Sequence, residues 1–253
     1  MSTVTSLERM LHVVDVIEEN DRGITFDQMH GILGFTRSTL YRYLKILTDA
    51  EFVTSLPDIG YTLGPRIIEL DYKMRTRDPL LIASRPVMAE LVRAAPGIAL
   101  LCRRYRDKVL CVHQERGTDT FHSNYERGRA RPLLSGAASR IILCHMPPHA
   151  TARLFREQAQ AFAEAGLGQS LVEARIALKR IRQLGWDITE GQVTPGVTGI
   201  AAPIFDNRGT VLGSLSLTVG RTRIDAAEIR AIAERVMFCA GIVTKAISGA
   251  TIQ

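Results

Sequence analysis

The sequence predicts an α+β chain in two parts, on three observations. Residues 5–63 hold three amphipathic helical patterns, then two short strand-like runs across a turn signal. A fourth helical pattern stops at Asp78-Pro79, because a residue before proline is pushed out of the helical region. Beyond that point, two pairs of strand-like runs are each joined across a polar turn, with helical patterns gathered around them. Antiparallel hairpins with segregated helices are the mark of an α+β domain.

The first part opens at Thr5-Ser6-Leu7-Glu8, which fits a capping box. Leu7, Met10, Leu11, Val14 and Ile17 follow at helical spacing and predict one apolar face. Gly23 breaks the pattern. Thr25-Phe26-Asp27-Gln28 is a second capping box, opening a short helix with Met29, Ile32 and Leu33, and Gly34 ends it. Thr36 caps a third helix from Arg37 to about Ala50, with Leu40, Leu44 and Leu47 as its buried stripe. Two helices joined by a short Gly-containing turn are a helix-turn-helix. Phe52-Val53-Thr54 and Gly60-Tyr61-Thr62-Leu63 flank the turn signal Pro57-Asp58-Ile59-Gly60, which predicts a wing.

A helix that reads the major groove needs apolar residues behind and short polar or guanidinium groups in front. The third helix offers Arg37, Ser38, Thr39, Arg42, Tyr43 and Lys45 as candidate DNA contacts. Arg37 or Arg42 is the candidate to fork onto a guanine, Ser38 and Thr39 suit phosphate or mixed contacts, and Lys45 suits backbone. Residues 1–77 hold nine Lys/Arg against eleven Asp/Glu, yet residues 37–45 carry three cations and no acid. An acid-free basic face in an acidic domain points to DNA. One winged helix buries too little for operator-level affinity, so two copies on a palindromic or pseudo-palindromic site are expected.

Residues 66–77 return to a helical pattern with Ile67, Ile68, Leu70 and Met74 apolar. The reading therefore divides the chain into a winged helix-turn-helix domain at 1–65, a linker helix at 66–78 and a second domain at 79–253. In the second domain Pro79–Ala95 reads as a helix, and Ile98–Cys102 pairs with Val109–His113 across Arg106-Asp107. Ser135–His145 and Ala150–Ala163 read as helices, and Ser170 caps another that ends near Gly185. Val197–Phe205 and Thr210–Val219 form a hairpin across Asp206-Asn207-Arg208-Gly209. Asp225 caps a long final helix with Ile229, Ile232, Val236 and Ile242 inward.

Composition excludes several classes. With 46% hydrophobic and 23% charged residues the chain is of globular type. No run approaches the roughly 18 apolar residues of a membrane span, and no basic and apolar leader pattern is visible, so a cytoplasmic address and no membrane partner are expected. Cys102, Cys111, Cys144 and Cys239 form no CxxC pair and read as reduced core thiols. His145 and His149 are four apart, but Pro147 and Pro148 lie between them, so they share no helix face and no metal site is expected. There is no GxSxG, HExxH, GxGxxG or P-loop, so neither an enzyme nor a cofactor is expected.

Taken together, the stretches Ser6-Leu7-Glu8-Arg9, residues 36–44 with Arg37, Ser38 and Thr39 at their head, Tyr61-Thr62-Leu63-Gly64, residues 199–206 and Leu215-Ser216-Leu217-Thr218 resemble the IclR family of bacterial regulators across nearly the whole chain. The resemblance implies a GAF-like effector-binding domain behind the winged helix-turn-helix. It also implies dimers pairing mainly through the N-terminal half, tetramers in many members, and control of catabolic operons, by repression or activation, in response to small organic acids. Carried over by position, the effector site would comprise Gly136, Ala137 and Ala138 at a helix start, together with Thr189, Gly199, Ser216 and Thr218. The unpaired amides of a helix start suit an anion, and Ser216 and Thr218, two apart on a strand, share a face.

Two departures from the family pattern stand out. Thr189 and Gly199 replace an acidic residue and a cysteine, which opens space, and Arg131 replaces a leucine, either as a cation for the pocket or as a surface arginine. The hypothesis that follows is a carboxylate bulkier than a two- or three-carbon keto acid, with aromatic acids among the candidates. The alternative is a DNA-binding protein whose second domain recruits protein partners without a metabolite.

Overall fold

A computed structural model of the chain describes residues 5–117, 121, 123–220 and 225–250. Its contacts divide it into two compact units, Met1–Arg77 and Asp78–Gln253.

In the first unit, helices α1 (Ser6–Glu18), α2 (Phe26–Leu33) and α3 (Arg37–Asp49) precede the two-stranded sheet of β1 (Val53–Leu56) and β2 (Gly60–Leu63), and α4 (Pro65–Arg77) closes it. Both capping boxes form. Thr5 Oγ1 accepts the Glu8 amide at 3.3 Å while Glu8 Oε2 accepts the Thr5 amide at 2.7 Å, and Thr25 and Gln28 repeat the exchange. Gly34 ends α2 in the left-handed region at φ 63°, where glycine carries no Cβ penalty. The wing is anchored by a bridge between Ile24 and Tyr61, which exchange backbone hydrogen bonds at 2.8 and 3.1 Å. Gly60 permits that approach, since a Cβ there would lie 2.5 Å from the Ile24 carbonyl oxygen.

Val13, Val16, Ile17, Ile24, Met29, Leu40, Tyr43, Leu44, Leu47 and Val53 form this unit's core. The expected apolar face of α1 is corrected at one end, because Leu7 and Leu11 are 71% and 60% exposed. The apolar arc of α1 is wider than one contact, so Val13, Val16 and Ile17 enter the core while Leu7 and Leu11, one turn apart, face away. Ile32 is likewise exposed. No residue of α4 is buried, and its Ile68, Tyr72 and Met74 are exposed.

The second unit is one six-stranded antiparallel sheet in the order β5-β4-β3-β8-β7-β6. Its strands are β3 (Ile98–Tyr105), β4 (Lys108–Arg116), β5 (Ala130–Pro132), β6 (Asp187–Glu190), β7 (Thr198–Phe205) and β8 (Val211–Val219). The edge strands β5 and β6 were not expected from the sequence. Helices α5 (Pro79–Ala94) and α9 (Ala226–Ala250) cover one face, and α6 (Ala137–Leu143) covers the other, with α7 (Pro148–Glu164) and α8 (Leu171–Leu184) behind it.

Alternation along the strands divides the two layers. On β3, Ala99 and Leu101 join the α5/α9 layer, while Ile98, Leu100 and Cys102 join the α6 layer. On β8, Leu215, Leu217 and Val219 go to α5/α9, leaving Ser214, Ser216 and Thr218 on the α6 side. In α9, Ile232 and Val236 are buried as expected, but Ile242 is exposed and Val243 takes the inward place. The four cysteines are free and buried.

Candidate DNA-reading helix and ligand cavity

The sequence of α3 decides which side chains it presents. At 3.6 residues per turn, Leu40, Tyr43, Leu44 and Leu47 fall on one arc, and all four are buried. The opposite arc carries Arg37, Ser38, Tyr41, Arg42 and Lys45, all exposed. Tyr43 is therefore withdrawn from the expected DNA contacts. It is 4% exposed, its hydroxyl lies 2.8 Å from Ser6 Oγ on α1, and its ring meets Phe35 edge-on at 6.0 Å. The reason is helical phase: residue 43 is three positions after Leu40 and four before Leu47. Tyr41, 64% exposed between Arg37 and Lys45, is the aromatic residue of the exposed arc, and sequence reading passed it over.

Thr36 caps α3, its Oγ1 accepting the Thr39 amide at 3.3 Å and donating to Thr39 Oγ1 at 2.9 Å. Thr39 is thus tied to the cap, while Ser38 remains at the exposed helix start. Arg37 is not a free cation. Its Nη1 sits 2.7 Å from Asp27 Oδ1, and its guanidinium lies 4.8 Å from the Phe26 ring. Both pair members are exposed, so the bridge orients Arg37 more than it stabilises the fold. The Arg42 guanidinium lies 5.5 Å from the ring of Tyr43.

In the second unit, Gly136, Ala137, Ala138, Thr189, Gly199, Ser216 and Thr218 line one cavity, together with Leu100, Ser123, Tyr125, Gln192, Val193, Thr194 and Val197. Its volume is only about 30 Å³. That is enough for about one or two waters. Among the residues lining it there is no charged side chain.

The polar groups around the cavity largely satisfy one another. Thr189 Oγ1 accepts the Ala137 amide at 3.0 Å, and Gln192 Oε1 accepts the Gly136 amide at 3.2 Å. Thr194 Oγ1 accepts the Asn124 amide at 2.9 Å. Ser214, on the same β8 face, donates to the Ala138 carbonyl at 2.8 Å. Ser216 is the exception: its hydroxyl is buried against the cavity with no hydrogen-bond partner. The Tyr125 hydroxyl lies 3.3 Å from Ser139 Oγ, and burial pushes its pKa well up, so it acts as a neutral group.

Two features bear on the shape of the cavity. A Cβ on Gly199 would stand 3.8 Å from Thr189 Oγ1 and 4.0 Å from Ala137 Cβ, which is ordinary contact, so glycine here leaves space that a side chain would fill. Gly136, at φ 82°, has Val193 against it. Arg131 does not line the cavity. It donates to the Asn124 carbonyl and lies 5.7 Å from the Tyr125 ring, so it braces the outer side of a lining residue and supplies no cation inside. The sequence signal for the missed lining residues was slight: Gln192, Val193, Thr194 and Val197 belong to a Gly- and Pro-containing loop after β6, which has no periodicity to read.

Two family models match. The IclR helix-turn-helix domain covers residues 6–57, and the bacterial transcriptional regulator IclR C-terminal domain covers residues 73–245. The chain belongs to the IclR family of bacterial transcriptional regulators. It is a DNA-binding transcription regulator of that family, and the matches are to regulators, not enzymes. It is similar to the HTH-type transcriptional regulator BhcR of Paracoccus denitrificans, 26% identical over 238 residues, which cover 92% of this chain and 84% of BhcR. Among solved structures, an IclR-type regulator from Alicyclobacillus acidocaldarius superposes with TM-score 0.77 at 22% identity, covering 98% of this chain and all of that one. An IclR homologue of Microbacterium hydrocarbonoxydans, solved with 4-hydroxybenzoate, superposes with TM-score 0.75 at 17% identity, covering 97% and 100%. Among the described residues no helix is long and apolar enough to cross a membrane, and no cluster of three or more His, Cys, Asp or Glu side chains is placed to hold a metal ion.

Proposed function

We propose that this IclR-family regulator controls a catabolic operon by binding a small organic monocarboxylate in the cavity of its second unit, which serves as the effector domain. The observation that carries the reading is the convergence of Gly136, Ala137, Ala138, Thr189, Gly199, Ser216 and Thr218, from four separate stretches of chain, on one cavity. The polar groups lining it are all neutral, the start of α6 presents the Gly136 and Ala137 amides to it, and the Ser216 hydroxyl has no partner among the described residues. Such a set suits a single carboxylate, held by dipoles without a counter-charge. The space left by Gly199 favours an acid larger than a two- or three-carbon keto acid, and the 4-hydroxybenzoate held by the Microbacterium homologue makes aromatic acids the first class to try. The small free volume means that the ligand enters by moving side chains, not by filling a ready-made void.

Arg37, Ser38, Thr39, Arg42 and Lys45, with Tyr41, are the proposed contacts to a palindromic or pseudo-palindromic operator. The exposure of Leu7 and Leu11 on α1 and of Ile68, Tyr72 and Met74 on α4 supports homodimer formation through the first unit, since a pairing surface would cover such side chains. Dimers pairing into tetramers follow the family pattern.

The test is a gel shift on the DNA immediately upstream of the protein's own gene, with Arg42→Ala alongside and a panel of organic acids added. The expected result is a specific shift that weakens with salt, is reduced in the variant by roughly 1–3 kcal/mol if Arg42 forks onto a guanine, and responds to at least one acid. A salt-insensitive shift counts against the phosphate contacts. A specific shift that no acid alters, by gel or by calorimetry, favours a second unit that recruits protein partners, because an effector must bind the DNA-competent and DNA-free states unequally.

A further inference from the structure

The start of α6 carries no side-chain cap of its own, because Gly136 stands at the N-cap position. Two remote side chains take that role: Thr189 Oγ1 on the Ala137 amide and Gln192 Oε1 on the Gly136 amide. Thr189 is buried in β6, but Gln192 is an exposed residue at the start of the β6–β7 loop. That loop is closed at its neck by the Gly191 amide donating to the Val197 carbonyl at 2.9 Å. Across the cavity, Ser216 is 2% exposed and its hydroxyl has no partner. A buried hydroxyl left unpaired is costly, so this one is placed for an acceptor that the protein itself does not supply.

We infer that Gln192 is an internal competitor of the effector: its amide oxygen holds the Gly136 N–H, and a carboxylate binds by displacing it and accepting the Ser216 hydroxyl as well. The inference rests on the carboxylate reading of the cavity proposed above. The exchange has a clear direction. Gln192 offers a neutral acceptor to one amide, whereas a carboxylate offers a charged one, and hydrogen bonds to ionised acceptors are stronger. The ligand also satisfies Ser216, which Gln192 leaves unpaired. The displaced Gln192 amide finds water, since the residue is already exposed. Without an acid, the helix start stays capped and the cavity stays too small for anything but water. Gln192 thereby sets the concentration at which the effector is sensed, and it discriminates against neutral ligands, which replace its oxygen with nothing better.

The experiment compares the full-length protein with Gln192→Ala and Gln192→Glu, using acetate, pyruvate, benzoate and 4-hydroxybenzoate as probes in calorimetry and thermal melting. Gln192→Ala is expected to bind at least one of these acids roughly tenfold more tightly than the parent, as removal of a competing occupant requires. Gln192→Glu places a tethered carboxylate on the Gly136 amide, so it is expected to melt several degrees above Gln192→Ala, to slow hydrogen exchange over residues 135–140 and to bind none of the acids. Equal or weaker acid binding by Gln192→Ala overturns the inference, and so does a Gln192→Glu protein that melts no higher than Gln192→Ala. If no acid binds the parent or Gln192→Ala while Gln192→Glu still melts higher, the cap is real but the carboxylate reading fails, and competition fails with it.

Discussion

The hydroxyl of Tyr43 on α3 lies 2.8 Å from the hydroxyl of Ser6 on α1, so the helix expected to read DNA is tied by one of its own aromatic residues to the helix that opens the chain. The contact separates two kinds of residue on α3. Tyr43 holds the helix in place, and its neighbour Arg42 is exposed, with its guanidinium 5.5 Å from the Tyr43 ring.

That division is testable with two substitutions. Tyr43→Phe removes the hydroxyl that meets Ser6 and lies near Arg42 but keeps the ring, and should cost about 1 kcal/mol of stability, with operator affinity little changed once the protein is folded. Tyr43→Ala should cost about 3–5 kcal/mol, as for other large aromatic residues removed from a core. Denaturant unfolding reads the stability, and gel shift reads the affinity. A Tyr43→Phe protein of full stability but weakened DNA binding would return Tyr43 to the groove.

Gly199 makes a prediction about the cavity. An added methyl meets only ordinary contacts, so Gly199→Ala should leave stability within about 0.5 kcal/mol of the parent. Calorimetry with the acid that alters operator binding should show weaker affinity, and the loss should grow for Gly199→Leu. A bulky substitution at 199 that leaves affinity untouched would move the ligand elsewhere.

Asp187 supplies a pH dependence. It is paired with Arg140, Nε to Oδ2 at 2.9 Å, and both side chains are largely buried. Burial nevertheless pushes its pKa up, from 3.8 to about 6, against the opposing pull of Arg140. A carboxyl with a raised folded-state pKa holds a proton that the unfolded chain has released, so its contribution is full below about pH 4 and is lost as pH rises through about 6. At about 1.4 kcal/mol per unit, the swing is on the order of 2–3 kcal/mol. Unfolding free energies of the parent minus those of Asp187→Asn should therefore fall between pH 4 and 6. A flat difference across that window would mean that Arg140 holds Asp187 ionised throughout.

Much of this was legible in the sequence, for reasons that differ by element. The capping threonines Thr5, Thr25 and Thr36 announced the first three helices because a cap is a local device, complete within four residues. The Leu40, Leu44 and Leu47 stripe was equally plain. Tyr43 misled because tyrosine suits both a core edge and a phosphate, and only the phase of the helix, counted residue by residue, settles it. Leu7 and Leu11 misled because apolar spacing says that a face will be covered, not by what. The strand β5 is three residues long and Asp187-Ile188-Thr189-Glu190 is mostly polar, so neither edge strand carries an alternating apolar signature. Seven of the cavity residues were placed by resemblance to a family. Gln192 and Thr194 were invisible because loop residues are brought to the cavity only by the fold as a whole.

Strand β8 has a consequence for anyone wishing to redesign the cavity. Leu215, Leu217 and Val219 are pressed into the α5/α9 layer, while Ser214, Ser216 and Thr218, in the alternate places, face α6, the latter two reaching the cavity. One strand thus carries two independent alphabets, interleaved letter by letter. If the cavity is the effector site proposed above, libraries confined to positions 216 and 218 would alter ligand preference while leaving Leu215, Leu217, Val219 and the Ser214 hydrogen bond to Ala138 intact.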